Sequence, residues 1–269
     1  MTLPFASSTL MTSGTAPARV VFIGAGPGAA DLITVRGASR LANAEVVFFD
    51  ALTDPALRDL APQARWVDVG KRGFGHATGQ DAINALLLQA AMDNTHVVRL
   101  KGGDPSIFGR LEEELATLRA HGITCEVVPG VTAALAAAAH TQRPLTRRGG
   151  GRSVSLTTAM THLGTLRATR TADTEVFYMA GRQLPALSRK LLDAGWAGDT
   201  PVCVVSRAGW PDARATDHTV ATLPDAAAPH DGRPAIVTLG AGAGAVTAAK
   251  ADKTPSLERH QGRQAGPTA

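Results

Sequence analysis

Aromatic residues make up only 4% of this 269-residue chain, which has one tyrosine and three tryptophans. That scarcity argues against the stacking platforms with which proteins carry single-stranded nucleic acid, so no nucleic-acid partner is expected. Cysteine is nearly absent as well. Cys125 and Cys203 each lie in an apolar, strand-like run and read as small core hydrophobes, with no disulfide framework and a reducing cytoplasm as the fitting compartment. The eight histidines show no metal-ligand spacing, and no metal is expected. The longest apolar run, about residues 131–139, is too short and too rich in small residues to span a bilayer, so no membrane association is expected. Residues 1–18 lack lysine, arginine and a secretory apolar core and read as a disordered tail; the small, polar and charged residues 241–269 read the same way.

What the chain does have is 44% apolar residues, enough to bury the core of one large domain or two lobes, and 28 glycines, which favour close backbone packing and loop-built sites. The net charge is +4, with the basic residues dispersed except for Arg143, Arg147, Arg148 and Arg152 around a glycine run. Two readings of that cluster stand: a solvated linker between lobes, or a patch facing an acidic ligand.

Strand-like runs at 19–24, 45–49, 66–69, 95–100 and 124–128 alternate with helical patterns near 34–43, 55–60, 80–91, 110–120 and 131–139. This predicts an α/β lobe over 19–147 with a mainly parallel sheet. Strands near 153–158, 175–179, 201–205, 217–222 and 234–239 surround one clear helix at 184–194, which predicts a second α/β lobe over 148–240 with a mixed, more antiparallel sheet.

Residues 98–109, VRLKGGDPSIFG, carry an apolar strand end into a double glycine and a fixed Asp-Pro turn, followed by Arg110 and the glutamates Glu112, Glu113 and Glu114. Gly102 and Gly103 admit close approach of a ligand, Pro105 stiffens the turn, and Asp104 offers a carboxylate at a strand's carboxyl end. Residues 21–34, VFIGAGPGAADLIT, and 127–135, VVPGVTAAL, repeat the design, and three such turns in one lobe suggest one site. The first loop fits a dinucleotide badly: Ala29 stands at the sixth position of that fingerprint, and Pro27 removes a backbone N–H from the turn that would cradle a pyrophosphate.

Together these segments, from about Arg19 to about Gly240, resemble the tetrapyrrole methylase family; VRLKGGDP and FGR with nearby glutamates are most similar to members that methylate uroporphyrinogen III. The resemblance implies a two-lobed fold with its cleft between the lobes, S-adenosylmethionine as methyl donor, and methylation of an acidic tetrapyrrole at C2 and C7 to give precorrin-2, on the branch to sirohaem, cobalamin or haem d1. It further implies a homodimer. Cofactor contacts fall on Pro27, Gly102, Gly103, Asp104, Ile107, Thr132, Ala133, Met179 and Ala208, although Met179 in FYMAG also reads as core. An acid/base pair falls on Asp50, at the end of EVVFFD, and Lys71, in VGKRG; a cap and a solvated turn are the structural alternatives. His76 and Gln80 match the family pattern without a settled role. Arg110 and Glu113, three apart at a helix start, match residues bearing on substrate binding or proton handling.

The chain departs from the family at Leu111 and Glu112, at Ala159 and Met160 after Thr158, and at Ser206, where an acidic residue is frequent. These departures keep two alternatives open: a later precorrin methyltransferase, or a catalytically weak regulatory homologue.

Overall fold

In a computed structural model, the structure describes residues 19–50, 52–70, 79–159, 166–168 and 170–247. The first sheet is built from β1 (Val20–Gly24), β2 (Val46–Phe49), β3 (Arg65–Asp68), β4 (Val97–Lys101) and β5 (Cys125–Val128). Its order is β3-β2-β4-β1-β5 and every pair is parallel. Helices on both faces explain why every residue of the central strand β1 is buried. β4 is equally buried yet includes Arg99 and Lys101.

The helices of this lobe are α1 (Val35–Ala42), α2 (Gln80–Asp93), α3 (Leu111–Ala120) and α4 (Ala133–Thr141). The Thr34 hydroxyl caps α1, accepting from Gly37 N at 3.1 Å. Residues 55–60 form a 3-10 segment capped by Asp54, whose second oxygen accepts from Ala30 N at 3.0 Å and so fastens the first glycine loop.

The second sheet contains β6 (Val154–Thr158), β7 (Thr174–Tyr178), β8 (Pro201–Ser206), β9 (Arg214–Thr219) and β10 (Ala235–Gly240), in the order β6-β7-β10-β8-β9. Only β6–β7 is parallel among its pairs. Helix α5 (Leu184–Asp193) covers it through Leu184, Leu187 and Leu191. No helix among the described residues is long and apolar enough to cross a membrane.

Two expectations need correction. The strand expected near 217–222 is β9 at Arg214–Thr219, because pairing with the buried β8 aligns Ser206 with Arg214 and Pro201 with Thr219; apolar Val220 lies beyond it, donating to Thr200 O at 3.0 Å. Residues 241–247, assigned by composition to a tail, are packed. Gly242 N donates to Thr174 Oγ1 at 2.9 Å, Arg143 donates to Ala243 O at 2.9 Å, and Arg147 donates to Gly244 O. Backbone groups hold this segment, so it needs no apolar periodicity. The same bonds show that Arg143 and Arg147 tie the chain together, Arg143 also pairing with Asp217. Cys125 lies in β5, partly buried, and Cys203 in β8, buried; both are free thiols.

A core shared by the lobes forms where Ala134, Ala136 and Ala137 of α4 meet Val176, Tyr178, Cys203, Val205 and Ile236 of the second sheet. Methyl-sized side chains let this helix lie close to the strands.

The carboxyl ends of β1, β4 and β5 meet backbone to backbone. Gly26 N donates to Gly103 O at 3.2 Å and Gly103 N to Gly26 O at 2.7 Å. A Cβ on Gly130 would lie 2.7 Å from Gly24 Cα and collide with Gly103 O. Gly130→Ala is therefore expected to cost about 1–3 kcal/mol of stability. Gly150→Ala, where a Cβ meets open space, should be neutral within about 0.5 kcal/mol. Thermal unfolding of the two variants checks this contrast.

Candidate functional site

Between the sheets, at the carboxyl ends of β1 and β4, lies a cleft of about 270 Å³. That volume is near the lower end of small-ligand pockets, roughly 300–1,000 Å³. Pro27, Gly102, Gly103, Asp104, Ile107, Thr132, Ala133, Met179 and Ala208 all line it, so one cavity gathers every position to which the family resemblance assigns cofactor contact. The lining also includes Phe108, Tyr178, Arg207 and Trp210, which sequence reasoning did not single out.

Asp104 is a staple between loops. Its Oδ1 accepts from Ser106 N and its Oδ2 from Gly130 N, each at 2.8 Å, which joins the β4–α3 loop to the β5–α4 loop. Tyr178 is a staple between lobes: its hydroxyl lies 2.7 Å from Thr132 Oγ1 and accepts from Ala134 N at 3.3 Å, at the start of α4. Burial raises its phenol pKa. Phe108 packs edge-on against the Tyr178 ring, 5.0 Å between centroids.

The backbone is strained around the cleft. Phe108, Arg110, Met179 and Arg207 have φ between 52° and 58°. Non-glycine residues reach this region at a cost of about 1–3 kcal/mol each and persist where surrounding structure over-determines them, characteristically at functional sites. Three of these four line the cleft, and the fourth, Arg110, is on its flank.

Arg110 and Glu113 are not in the cleft lining. Arg110 lines an adjoining groove that shares Phe108 with it, and its Nε and Nη2 donate to the two Glu113 oxygens at 2.7 and 2.6 Å in a half-exposed pair. Lys71 and His76 lie outside the described residues. Gln80 opens α2, with Nε2 donating to Asn84 Oδ1 at 3.0 Å.

Asp50 follows β2 and accepts from Arg99 Nη2 at 2.6 Å. Behind it Glu114 accepts from Arg99 Nε at 3.0 Å and from Lys101 Nζ at 2.6 Å. Sequence reasoning missed this cluster, although two signals carried it. Two cations at alternate positions of an apolar strand, Arg99 and Lys101, require a buried anion. On α3, Glu114 also shares a helix face with Leu111, Leu115 and Leu118, which pack on the core.

In the second lobe, Arg233 Nε donates to Ser206 Oγ at 2.9 Å. Ser206 Oγ also hydrogen-bonds with His230 Nδ1 (2.8 Å), and His230 Nε2 with Thr216 Oγ1 (2.8 Å), which His218 Nε2 approaches at the same distance. Arg233 and Arg207 also bind Asp212, and Arg207 lies over the Trp210 ring at 4.5 Å, which fixes the loop that carries Ala208.

The fold and cleft define a two-lobed α/β protein built to hold a small organic molecule between its sheets. Residues 19–224 match the family model of Tetrapyrrole (Corrin/Porphyrin) Methylases, and the chain belongs to that family. It is 43% identical to a uroporphyrinogen-III C-methyltransferase of Pseudomonas aeruginosa over 194 residues, 71% of this chain and 79% of that protein. It is 40% identical to a siroheme synthase of Psychrobacter cryohalolentis over 82% of this chain but only 44% of that protein. The chain thus spans about half the length of the siroheme synthases it matches. Among solved structures, uroporphyrin-III C-methyl transferase from Thermus thermophilus complexed with S-adenyl homocysteine aligns with a TM-score of 0.73 at 34% identity, covering 83% of this chain and 97% of that one. A cobalt precorrin-4 methyltransferase aligns with a TM-score of 0.74 at 29% identity, covering 86% of this chain and 100% of that one.

Burial, then the charges of Arg214, His218 and Arg233, lowers the His230 pKa from 6.5 to about 4. The unfolded chain therefore takes up this proton near 6.5 while the folded chain resists it down to about 4, so stability falls as pH drops through that window. The melting temperature should decline across it, and His230→Gln should flatten the decline. A variant as acid-sensitive as the wild type would assign the decline to other groups.

Proposed function

We propose that this chain is an S-adenosylmethionine-dependent C-methyltransferase that methylates uroporphyrinogen III at C2 and C7 to give precorrin-2. The observation that carries the proposal is the single cleft collecting the glycine-loop positions of the first lobe with Met179 and Ala208 of the second, in a chain with relatives that bear that activity in their names. The cleft's chemistry suits such a cofactor. Ile107, Ala133, Met179 and Ala208 offer an apolar wall for adenine and the thioether carbons, while the Thr132 hydroxyl, the Asp104 carboxylate and the Gly102–Gly103 backbone offer polar partners for ribose and amino-acid groups. Arg207, the guanidinium of the lining, donates from Nε to Asp212 and lies over the Trp210 ring.

When bound, S-adenosylmethionine supplies an electrophilic methyl: the pyrrole β-carbon takes it, the carbon–sulfur electron pair stays on sulfur as S-adenosylhomocysteine, and the substrate cation gives up one proton. The chain's residues align the reactants and exclude water, which supplies much of the rate in such a transfer. Asp50 is assigned as proton acceptor, with Lys71 as its partner in handling protons. Arg110 is assigned to a substrate carboxylate and Glu113 to holding the guanidinium until then; these two donors to Glu113 leave the rest of its five-donor fork for that task. The same reading gives a homodimer in the cytoplasm, where the free thiols Cys125 and Cys203 suit a reducing environment.

The similarity to a cobalt precorrin-4 methyltransferase supports a second reading, methylation of a later corrin precursor. Incubation of purified chain with labelled S-adenosylmethionine and uroporphyrinogen III, followed by mass analysis, decides between them. The first reading expects doubly methylated product, and its absence with a competent later precursor overturns it. Asp50→Asn and Lys71→Met should slow turnover toward the smaller end of the hundredfold to ten-thousandfold range of acid–base groups, about a hundredfold. Arg110→Lys should also slow turnover, and calorimetry should show all three variants binding S-adenosylhomocysteine as the wild type does.

A further inference from the structure

Asp50 belongs to a set of two anions and two cations, of which it alone reaches solvent appreciably. Its side chain is 32% exposed, against 3% for Arg99, 4% for Lys101 and 0% for Glu114. Asp50 is therefore the member of this set placed to exchange a proton with a substrate. The other three members are connected to it in series: Lys101 to Glu114, Glu114 to Arg99, Arg99 to Asp50.

A buried ion network of this kind is a weak source of stability, since apolar side chains of similar volume commonly serve as well or better. A structural role alone does not explain two buried cations in β4, Arg99 at its centre and Lys101 at its end. The electrostatics does. A cation against a carboxylate favours its charged form, and a second anion on the same cation opposes that. Here the Arg99 guanidinium is shared by the Asp50 and Glu114 carboxylates, and Lys101 in turn pairs with Glu114.

We propose that Glu114 and Lys101 are positioning residues that set the basicity of Asp50 through Arg99, Glu114 strengthening it as a proton acceptor and Lys101 weakening it. The inference rests on Asp50 being the proton acceptor of the methylation. Burial and the Arg99 charge hold Lys101 below the usual lysine range, and the Glu114 carboxylate 2.6 Å away opposes that shift. The packed elements carry further charged groups: Arg65 and Asp68 on β3, Asp81 and Asp93 on α2, and Glu112, Glu113 and Arg119 on α3 with Arg110 at its N-cap; Lys71 lies outside the described residues. Gln80 also approaches Glu114, its Nε2 at 3.5 Å from Oε1.

The two substitutions have opposite signs. Glu114→Gln removes a negative charge, so Asp50 gives up its proton more readily: the acidic limb of the rate profile moves to lower pH, and the plateau falls because the base is weaker. Lys101→Met removes a positive charge and moves the limb to higher pH. Single-turnover methyl transfer to uroporphyrinogen III by the full chain, measured across pH, should show limb shifts of about half to one unit in opposite directions. Glu114→Gln should slow the plateau about threefold to tenfold. Calorimetric affinity for S-adenosylhomocysteine should stay within about twofold of wild type for each variant, as expected of sites outside the cleft.

Limbs that stay in place, or move together, overturn the proposal. Should Glu114→Gln fail to fold by thermal unfolding, Lys101→Met decides alone, and an unmoved or lowered limb refutes the tuning. Asp50→Asn, measured alongside, separates the two levels. If it retains both the wild-type rate and the limb, the proton-acceptor reading itself falls; if it abolishes the limb while the other two variants leave theirs unmoved, only the tuning falls.

Discussion

The closest constraint in this molecule is the meeting of three backbones at Gly24–Gly26, Gly102–Gly103 and Gly130. Two strand-end loops bond to each other through Gly26 and Gly103, and a Cβ on Gly24 would lie 2.7 Å from Gly103 O. No side chain fits there. Because β1, β4 and β5 are adjacent and parallel, their carboxyl ends emerge on one edge, the place where open α/β sheets hold ligands. Glycine then lets the loops close on one another while leaving the cleft floor lined by backbone, and Asp104, accepting from both Ser106 N and Gly130 N, fixes two of them as a unit.

The second lobe reaches this unit through two contacts of different kinds. Ala29 N donates to Gly209 O at 2.7 Å, joining the first glycine loop to the β8–β9 connection. Tyr178, at the end of β7, places its hydroxyl against Thr132 and Ala134 at the start of α4, whose alanine face lies against the same sheet. The cleft thus lies between a rigid backbone wall and a second wall whose distance is set by methyl-sized packing. A larger side chain at Ala134 or Ala137 would push on Tyr178, Val205 and Ile236 behind the cleft and so change its width.

Most strands were legible because a parallel sheet covered on both faces demands continuous apolar runs, and the glycine turns because strand ends that carry Gly-Pro-Gly or Gly-Gly-Asp-Pro have few other conformations. Their convergence was legible only as three similar turns in one lobe; the order β3-β2-β4-β1-β5 that juxtaposes them is a tertiary fact. The glutamate run shows the limit. Glu112, Glu113 and Glu114 are equivalent by composition, and a family resemblance favours Glu113, yet the phase of α3 against the core buries Glu114 and exposes Glu113. β9 was displaced for a related reason: as an exposed edge strand it carries Arg214 and Asp217, and its register comes from β8 rather than from its own pattern.

The departures from the family pattern in the second lobe acquire a physical account from the same division of labour. In the first lobe the constraint falls on residue identity, because only glycine has the required conformations and clearance. In the second lobe the wall at Ala208 is held by side-chain bonds, and bonds can be remade by other groups. Ser206, where the family often has an acid, accepts from Arg233 and hydrogen-bonds with His230, so burial there needs no carboxylate. Arg233 then grips Asp212, and Asp212 grips Arg207. The loop ends in the same lining of the cleft by a chain of neutral and paired groups, which is why a change at position 206 coexists with an intact glycine wall opposite.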